Sequence, residues 1–282
     1  MSLSGLTRQS IKRGGNTPFF YMRKYLSVLL IFLVLFTSCT TLRQQELDVS
    51  LYVPEAFEWE EVCPGVARYD FENREIPLIY HAVKIDLKMI SENGPLELIC
   101  SRGEKVSDFA LRENCIVAVN ATPFDKAGNL VGIHREKGET LSKPVARYAA
   151  IAFDDGHAQI FTSQSEEGLS EYPFAFGGFF TVLEHGEVRR DFIARRDSRS
   201  GAGLSADGTT LYLLVVEGEH PQHSSGLSYP ECGEIFLAMG CHDALEFDGG
   251  GSAKLCINKK SVLSYKVRRI VGNCFGIRSY AD

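Results

Sequence analysis

The chain of 282 residues holds one tryptophan, Trp59, and its first 38 positions hold no aspartate or glutamate. Long apolar runs are also missing. The most hydrophobic stretch, Leu26 to Phe36, is about half the length that a membrane-spanning helix needs. Basic clusters are absent as well: beyond residue 38 there are 25 Lys and Arg against 36 Asp and Glu, a formal charge of −11. Nucleic acid is excluded as a partner on that ground, since phosphate backbones require clustered cations. No period of 20–50 residues recurs, which excludes a repeat array. No cysteine pairs carry the short double spacing of a zinc cluster, and no G-x-S-x-G elbow supports serine hydrolase chemistry.

What is present at the start is an export pattern. Arg8, Lys12, Arg13, Arg23 and Lys24 precede the apolar run, and Thr37-Ser38-Cys39 follow it. A charged start, an apolar core and small residues at the end describe a signal peptide. The signal is expected to occupy residues 22–38 within a 1–38 leader, opening at Met22-Arg23-Lys24. The small residues before Cys39 resemble a bacterial lipobox, which implies cleavage before Cys39 and its acylation, with more than one acyl chain holding the protein stably to a membrane. Residues 39–62 are polar and acidic and are expected to form the tether. The folded domain is expected over residues 63–282, facing the periplasm or the cell surface. Seven cysteines remain beside Cys39, an odd number in an oxidising compartment, so buried thiols with one or two disulfides are expected.

Alternating or continuous apolar stretches predict strands at Val66–Tyr69, Ile76–Leu87, Leu96–Cys100, Cys115–Val119, Ala149–Phe153, Ala158–Phe161 and Phe179–Leu183. Residues 204–206 and 211–216 flank Asp207-Gly208 as a hairpin, and Ala244–Phe247 is a further strand. Helices are predicted over Val106–Asn114, capped by Ser107, and over Pro230–Met239, stopped by Gly240. The fold class is therefore α+β, with a mixed, largely antiparallel sheet core and a few packed helices.

Two carboxylates stand at the ends of apolar strands. Asp248 closes one and is followed by Gly249, Gly250, Gly251 and Ser252; Glu217 closes Leu211–Val216 and is followed by Gly218. Glycine there admits positive φ and exposes amides that can cradle an anion. Paired carboxylates are what glycoside cleavage uses. The block Asp243–Ser252 resembles the most distinctive segment of the phosphodiester glycosidase family. Arg199–Gly203 is similar to that family's Arg-Thr-Ala-Ile-Gly, Val215–Gly218 to its Val-Val-Asp-Gly, and Ser225–Ser228 to its Ser-x-Gly-Leu-Thr/Ser. Asn120-Ala121-Thr122-Pro123-Phe124 stands where the family has Asn-Gly-Gly-Phe/Tyr-Phe, and Phe176-Gly177-Gly178 resembles another of its pieces.

The resemblance implies a hydrolase that cleaves the bond between a sugar anomeric carbon and a phosphodiester. Asp248 is expected as nucleophile or water-activating base, Glu217 as second carboxylate or orienting group, and Arg199 as the phosphate holder through paired N–H donors. Asn120, Gly178, Ser225, Gly249, Gly250, Gly251 and Ser252 are candidate substrate contacts, with Asp125 and His134 as loop candidates after Asn120. No cofactor is required; a divalent cation held by Asp248, Glu217 and substrate phosphate is the optional addition. The expected partners are a carbohydrate or sugar-phosphate substrate and the membrane. A noncatalytic glycan- or sugar-phosphate-binding lipoprotein is the alternative from another class.

The leader generates its own test. Mass spectrometry of the membrane fraction should find a mature chain that begins at acylated Cys39, and an unmodified Cys39 in a soluble product would contradict it.

Overall fold

The structure is a computed structural model that describes residues 47–91, 94–192 and 195–280, within the compact unit Gln45–Asp282. The leader and Cys39 lie outside the described residues. Among those described, no helix is long and apolar enough to cross a membrane.

Three antiparallel sheets carry the fold, which is α+β. The largest has eight strands in the order Glu60–Cys63, Val66–Asn73, Leu78–Asp86, Thr210–Val216, Arg199–Leu204, Asp243–Glu246, Thr181–Glu184, Glu187–Val188. Its central strands are apolar on both faces because both faces are covered. One face carries Val83, Ile85, Leu213, Val215, Ala202 and Leu245, which pack against the two five-stranded sheets through Val119, Leu255, Phe275, Ile151 and Phe176. On the other face, Tyr80, Leu214, Val216 and Ala244 meet Cys232, Ile235 and Phe236 of the helix Tyr229–Met239. Each Val, Leu, Ile or Phe side chain among them, once buried, contributes roughly 1.5–3 kcal/mol of transfer free energy.

That helix forms for local reasons. Pro230 sits in its first turn, and the Ser228 amide and hydroxyl both donate to Glu231 Oε2 at 2.8 Å. Gly240 ends it in the left-handed region at φ 96°, as predicted. The other predicted helix runs Val106–Arg112, but its N-cap is Lys105 and not Ser107. The Asp207-Gly208 hairpin is present between Arg199–Leu204 and Thr210–Val216.

Two expectations are corrected. The fold begins before Cys63: Tyr52 is buried in the helix-side core, the Leu47 amide donates to Glu231 at 3.2 Å, and Glu60–Cys63 is already a strand. Acidic spacing hid these scattered anchors. The expected disulfides are absent among the described residues, where all seven cysteines are free thiols and five are buried. They lie among core side chains and act as small hydrophobes.

Glu246 is a carboxylate buried within this packing. It points from its strand to the helix-covered face, 1 % exposed, and neither oxygen has a hydrogen bond of acceptable geometry. Burial drives its carboxyl from 4.5 up to about 7, against the opposing pull of the Arg199 charge and of the neighbouring Cys232 thiol and Ser200 amide. Between those two values the folded chain keeps a proton that the unfolded chain releases, so stability falls as pH rises through this window. Glu246→Gln removes the penalty. Its unfolding free energy, from denaturant titration, should match the wild type near pH 4.5 and exceed it progressively towards pH 8, by up to about 3 kcal/mol at roughly 1.4 kcal/mol per unit. A difference that does not change with pH would contradict this account.

Candidate active site

The antiparallel register brings Arg199, Glu217 and Asp248 to one end of the eight-stranded sheet. Arg199 pairs with Val216, so Glu217 follows beside Ser198. On the other side, Phe247 N–H donates to the Ser200 carbonyl at 2.7 Å and Gly250 N–H to the Ser198 carbonyl at 2.9 Å. Asp248 is thereby held alongside the Arg199 backbone. Gly249 is required at this approach, since a Cβ there would stand 2.8 Å from the Ser198 oxygen; Gly250 adopts φ 56°.

Asp248 itself is half-buried. Burial raises its carboxyl pKa, opposed by a hydrogen bond from buried Ser252 and by the charge of Arg269. Its peptide is fixed from the neighbouring sheet: Asp248 N–H donates to the Ala121 carbonyl at 2.9 Å, and Asn120 Nδ2 donates to the Asp248 carbonyl at 2.6 Å. Asn120 Oδ1 in turn accepts from Lys254 N at 2.9 Å. Asn120 is fully buried and is a brace for the Asp248 loop. Of the glycine-turn amides, those of Gly250 and Ser252 are engaged by the Ser198 and Gly249 carbonyls, which leaves the Gly249 and Gly251 amides as donors towards a ligand. Gly251 lies against Arg269 Nη1, and that guanidinium sits 5.2 Å from the Phe124 ring.

Arg199 stands on the helix-covered face. Its Nε donates to the Leu227 carbonyl at 2.8 Å and its Nη2 to the Arg195 carbonyl at 2.5 Å, and its guanidinium lies 4.3 Å over the Tyr229 ring. Two of five donors are thus used in fixing the group, and three remain.

Glu217 occupies a different environment, buried at the opposite face. His81 Nε2 donates to it at 3.2 Å, and Ser264 contributes both its backbone amide, at 2.6 Å, and its hydroxyl. Burial alone would raise its pKa, but the hydrogen bonds from His81 and Ser264 outweigh this and hold it below the ordinary range. His81 bridges two carboxylates, with Nδ1 donating to Asp70 Oδ1 at 2.6 Å. Desolvation disfavours its charge, yet bonds to Asp70 and Glu217 raise its pKa overall. Lys254, also buried, feels the Glu217 charge. Asp70, His81, Ser264 and Lys254 carry no sequence signal for this role; only the Asp70↔His81 strand pairing reveals it.

The remaining candidates fall elsewhere. Gly178 is packed so that a Cβ would come within 2.5 Å of the Glu246 oxygen, which marks close strand approach. Ser225 N–H donates to the Pro77 carbonyl, while its neighbour Ser224 donates through its hydroxyl to the Glu217 carbonyl at 2.5 Å. Asp125 closes its own turn, accepting from the Ala127 and Asn129 amides and from the Asn129 side chain, which lowers its pKa. His134 is a correction to the loop expectation. It begins the strand His134–Glu136, is fully buried, and has its pKa lowered to about 4 by desolvation, aided by Arg102.

Two side-chain groups among the described residues could hold a metal by proximity, and neither contains Asp248 or Glu217. In the first, Cys100, His134 and Glu136, the Asn273 amide is oriented by Thr122 N–H donating to its Oδ1 at 2.7 Å, so its Nδ2 donates to His134 Nδ1 at 2.6 Å. Nε2 of the neutral ring then carries the proton and points to Cys100, which opposes ligation there. The second, His185, His242 and Asp243, lies at the start of the Asp243–Glu246 strand, at the end remote from Asp248.

Comparison with known proteins bears on the family and the fold. A phosphodiester glycosidase family model matches residues 113–278. The SPβ prophage-derived uncharacterized protein YomE of Bacillus subtilis is 26 % identical over 198 residues, covering 64 % of this chain and 30 % of that protein. The chain thus spans less than a third of this relative's length. Among solved structures, the fold is similar to a hypothetical protein from Synechocystis, with TM-score 0.66 and 13 % identity over 80 % of this chain and 64 % of that one. It is also similar to the zebrafish N-acetylglucosamine-1-phosphodiester alpha-N-acetylglucosaminidase catalytic domain, auto-inhibited by its pro-peptide, with TM-score 0.60 and 18 % identity over 84 % and 87 % of the two chains. The match to the family model spans more than half of the chain, and the protein belongs to the phosphodiester glycosidase family.

Proposed function

We propose that this protein hydrolyses sugar-1-phosphodiesters at the anomeric carbon. The observation that carries the reading is the placement of Asp248, half-buried alongside the Arg199 backbone and fastened on both sides of its peptide, with Ser252 and the charge of Arg269 on its carboxylate. A carboxylate so placed can attack the anomeric carbon or take a proton from the attacking water. The bond from that carbon to the phosphate oxygen breaks, its electron pair leaves on the phosphate, and free sugar and a phosphomonoester result. Phosphate leaves readily, so neutralising it matters more than protonating it. The three remaining Arg199 donors and the Gly249 and Gly251 amides suit that task.

Glu217, occupied by His81 and Ser264, acts as the orienting carboxylate; it holds the Ser264 loop to the sheet end. Asn120 positions Asp248 without touching substrate. The N-acetylglucosamine-1-phosphodiester named for the zebrafish enzyme is the first substrate to try. Lipid anchoring through Cys39 and a periplasmic or surface location complete the proposal.

Asp248→Asn keeps shape and removes charge, so turnover should fall by about 10²-fold or more while affinity is retained. Turnover within a few-fold of wild type, in folded protein, would move the role elsewhere. Because burial raises the Asp248 pKa, kcat should decline as pH falls through that raised value, at a higher pH than for an ordinary aspartate. Arg199→Lys keeps the charge and loses the planar fork, and should reduce hydrolysis of a sugar phosphodiester more than of an uncharged aryl glycoside. Equal losses on the two substrates would reject the phosphate role.

A further inference from the structure

Five aromatic rings form a continuous ledge that starts at this site. Tyr229 lies under Arg199, and its ring meets Phe192 edge-on at 5.4 Å. Phe192 meets Phe180 at 5.4 Å, and Phe180 meets Tyr148 at 5.6 Å, with Phe179 at 5.3 Å from Tyr148. These residues come from separate segments of the chain. Phe179, Phe180 and Phe192 belong to none of the hydrophobic core clusters, whereas Tyr148, 9 % exposed, is buried. Phe180 is 36 % exposed, and Phe179, Phe192 and Tyr229 are half-buried.

The ledge is anchored next to Asp248. Phe179 N–H donates to the Glu246 carbonyl at 2.7 Å and Glu246 N–H to the Phe180 carbonyl at 3.0 Å, two residues before Asp248. Its two ends carry guanidinium groups: Arg199 over Tyr229, and Arg147 stacked 4.7 Å from the Tyr148 ring with Nη2 donating to the Tyr148 hydroxyl at 3.0 Å. The nearest acid in sequence, Asp191 beside Phe192, is already paired with Arg189 through two bonds of 3.1 and 2.9 Å. At the other end Tyr229 feels the charges of Glu246 and Asp197, which Arg199 opposes.

Aromatic faces stack on the C–H faces of sugar rings, and fixed guanidinium groups pair with phosphates. Each step between neighbouring rings is close to the size of one sugar ring. We propose that the ledge from Tyr229 to Tyr148 is an extended subsite for a glycan that continues beyond the scissile phosphodiester and carries a second phosphate, which Arg147 receives. This rests on the glycosidase reading and narrows it: the natural substrate is an anionic sugar-phosphate chain, and a small sugar phosphodiester is only its minimal part.

The test uses two probes, the methyl diester of N-acetylglucosamine-1-phosphate and a phosphodiester-linked trimer of the same unit, with Phe180→Ala and Arg147→Ala as variants. Wild type should favour the trimer by about tenfold or more in kcat/KM. Each variant should lose most of that preference through KM, with the short diester changed by less than about twofold. Equal turnover of the two probes by wild type, or an equal fall on both in the variants, would overturn the ledge. Calorimetric binding of the trimer to Asp248→Asn, with and without Phe180→Ala, separates the two readings: absence of any turnover contradicts the glycosidase, whereas trimer binding that ignores Phe180 contradicts the ledge alone.

Discussion

The site depends on a turn fastened at both ends to the strand beside it. Phe247 and Gly250 donate to the Ser200 and Ser198 carbonyls, and the peptide of Asp248 between them is caught by Ala121 and Asn120 of a different sheet. Backbone must approach backbone closely for this to happen, and Gly249 is the residue that allows it. A carboxylate held this way loses little conformational freedom on meeting a substrate. That rigidity is what positioned catalytic groups require.

The three carboxylates of the sheet end show how environment divides roles. Glu217 is kept charged by His81 and Ser264, Asp248 is raised by burial, and Glu246 is raised to about 7 by full burial. They sit within a few residues of one another in the sheet register, yet face different surroundings. Arg199 lies nearest Glu246 and Tyr229, while Arg269 is the cation that acts on Asp248. The cationic character of this sheet end is thus divided between Arg199 and Arg269 and is not concentrated on one guanidinium.

Much of this was legible in the residue order. The hairpin at Asp207-Gly208, the helix between Pro230 and Gly240, and the strand into Asp248 follow from turn chemistry and short-range periodicity, and each is present. The strand His134–Glu136 escapes because it is only three residues long, and Asn273–Ser279 because its pattern is mixed and its partners lie far away in sequence. Asp248, Glu217 and Arg199 could be singled out because each sits at a strand end next to glycine or within a recognisable block. The His81 bridge and the aromatic ledge could not, since both assemble from segments that meet only through sheet register. His134 was misplaced in a loop for the same reason: its burial is decided by Asn273 and Phe176, more than 40 residues away.

The central claim concerns which bond breaks, and isotope-labelled water addresses it directly. Hydrolysis of a sugar-1-phosphodiester in ¹⁸O-water should place the label on the anomeric oxygen of the released sugar, leaving the phosphomonoester unlabelled by mass spectrometry. Label in the phosphate would mean cleavage of the phosphorus–oxygen bond, and it would contradict a glycosidase built on Asp248.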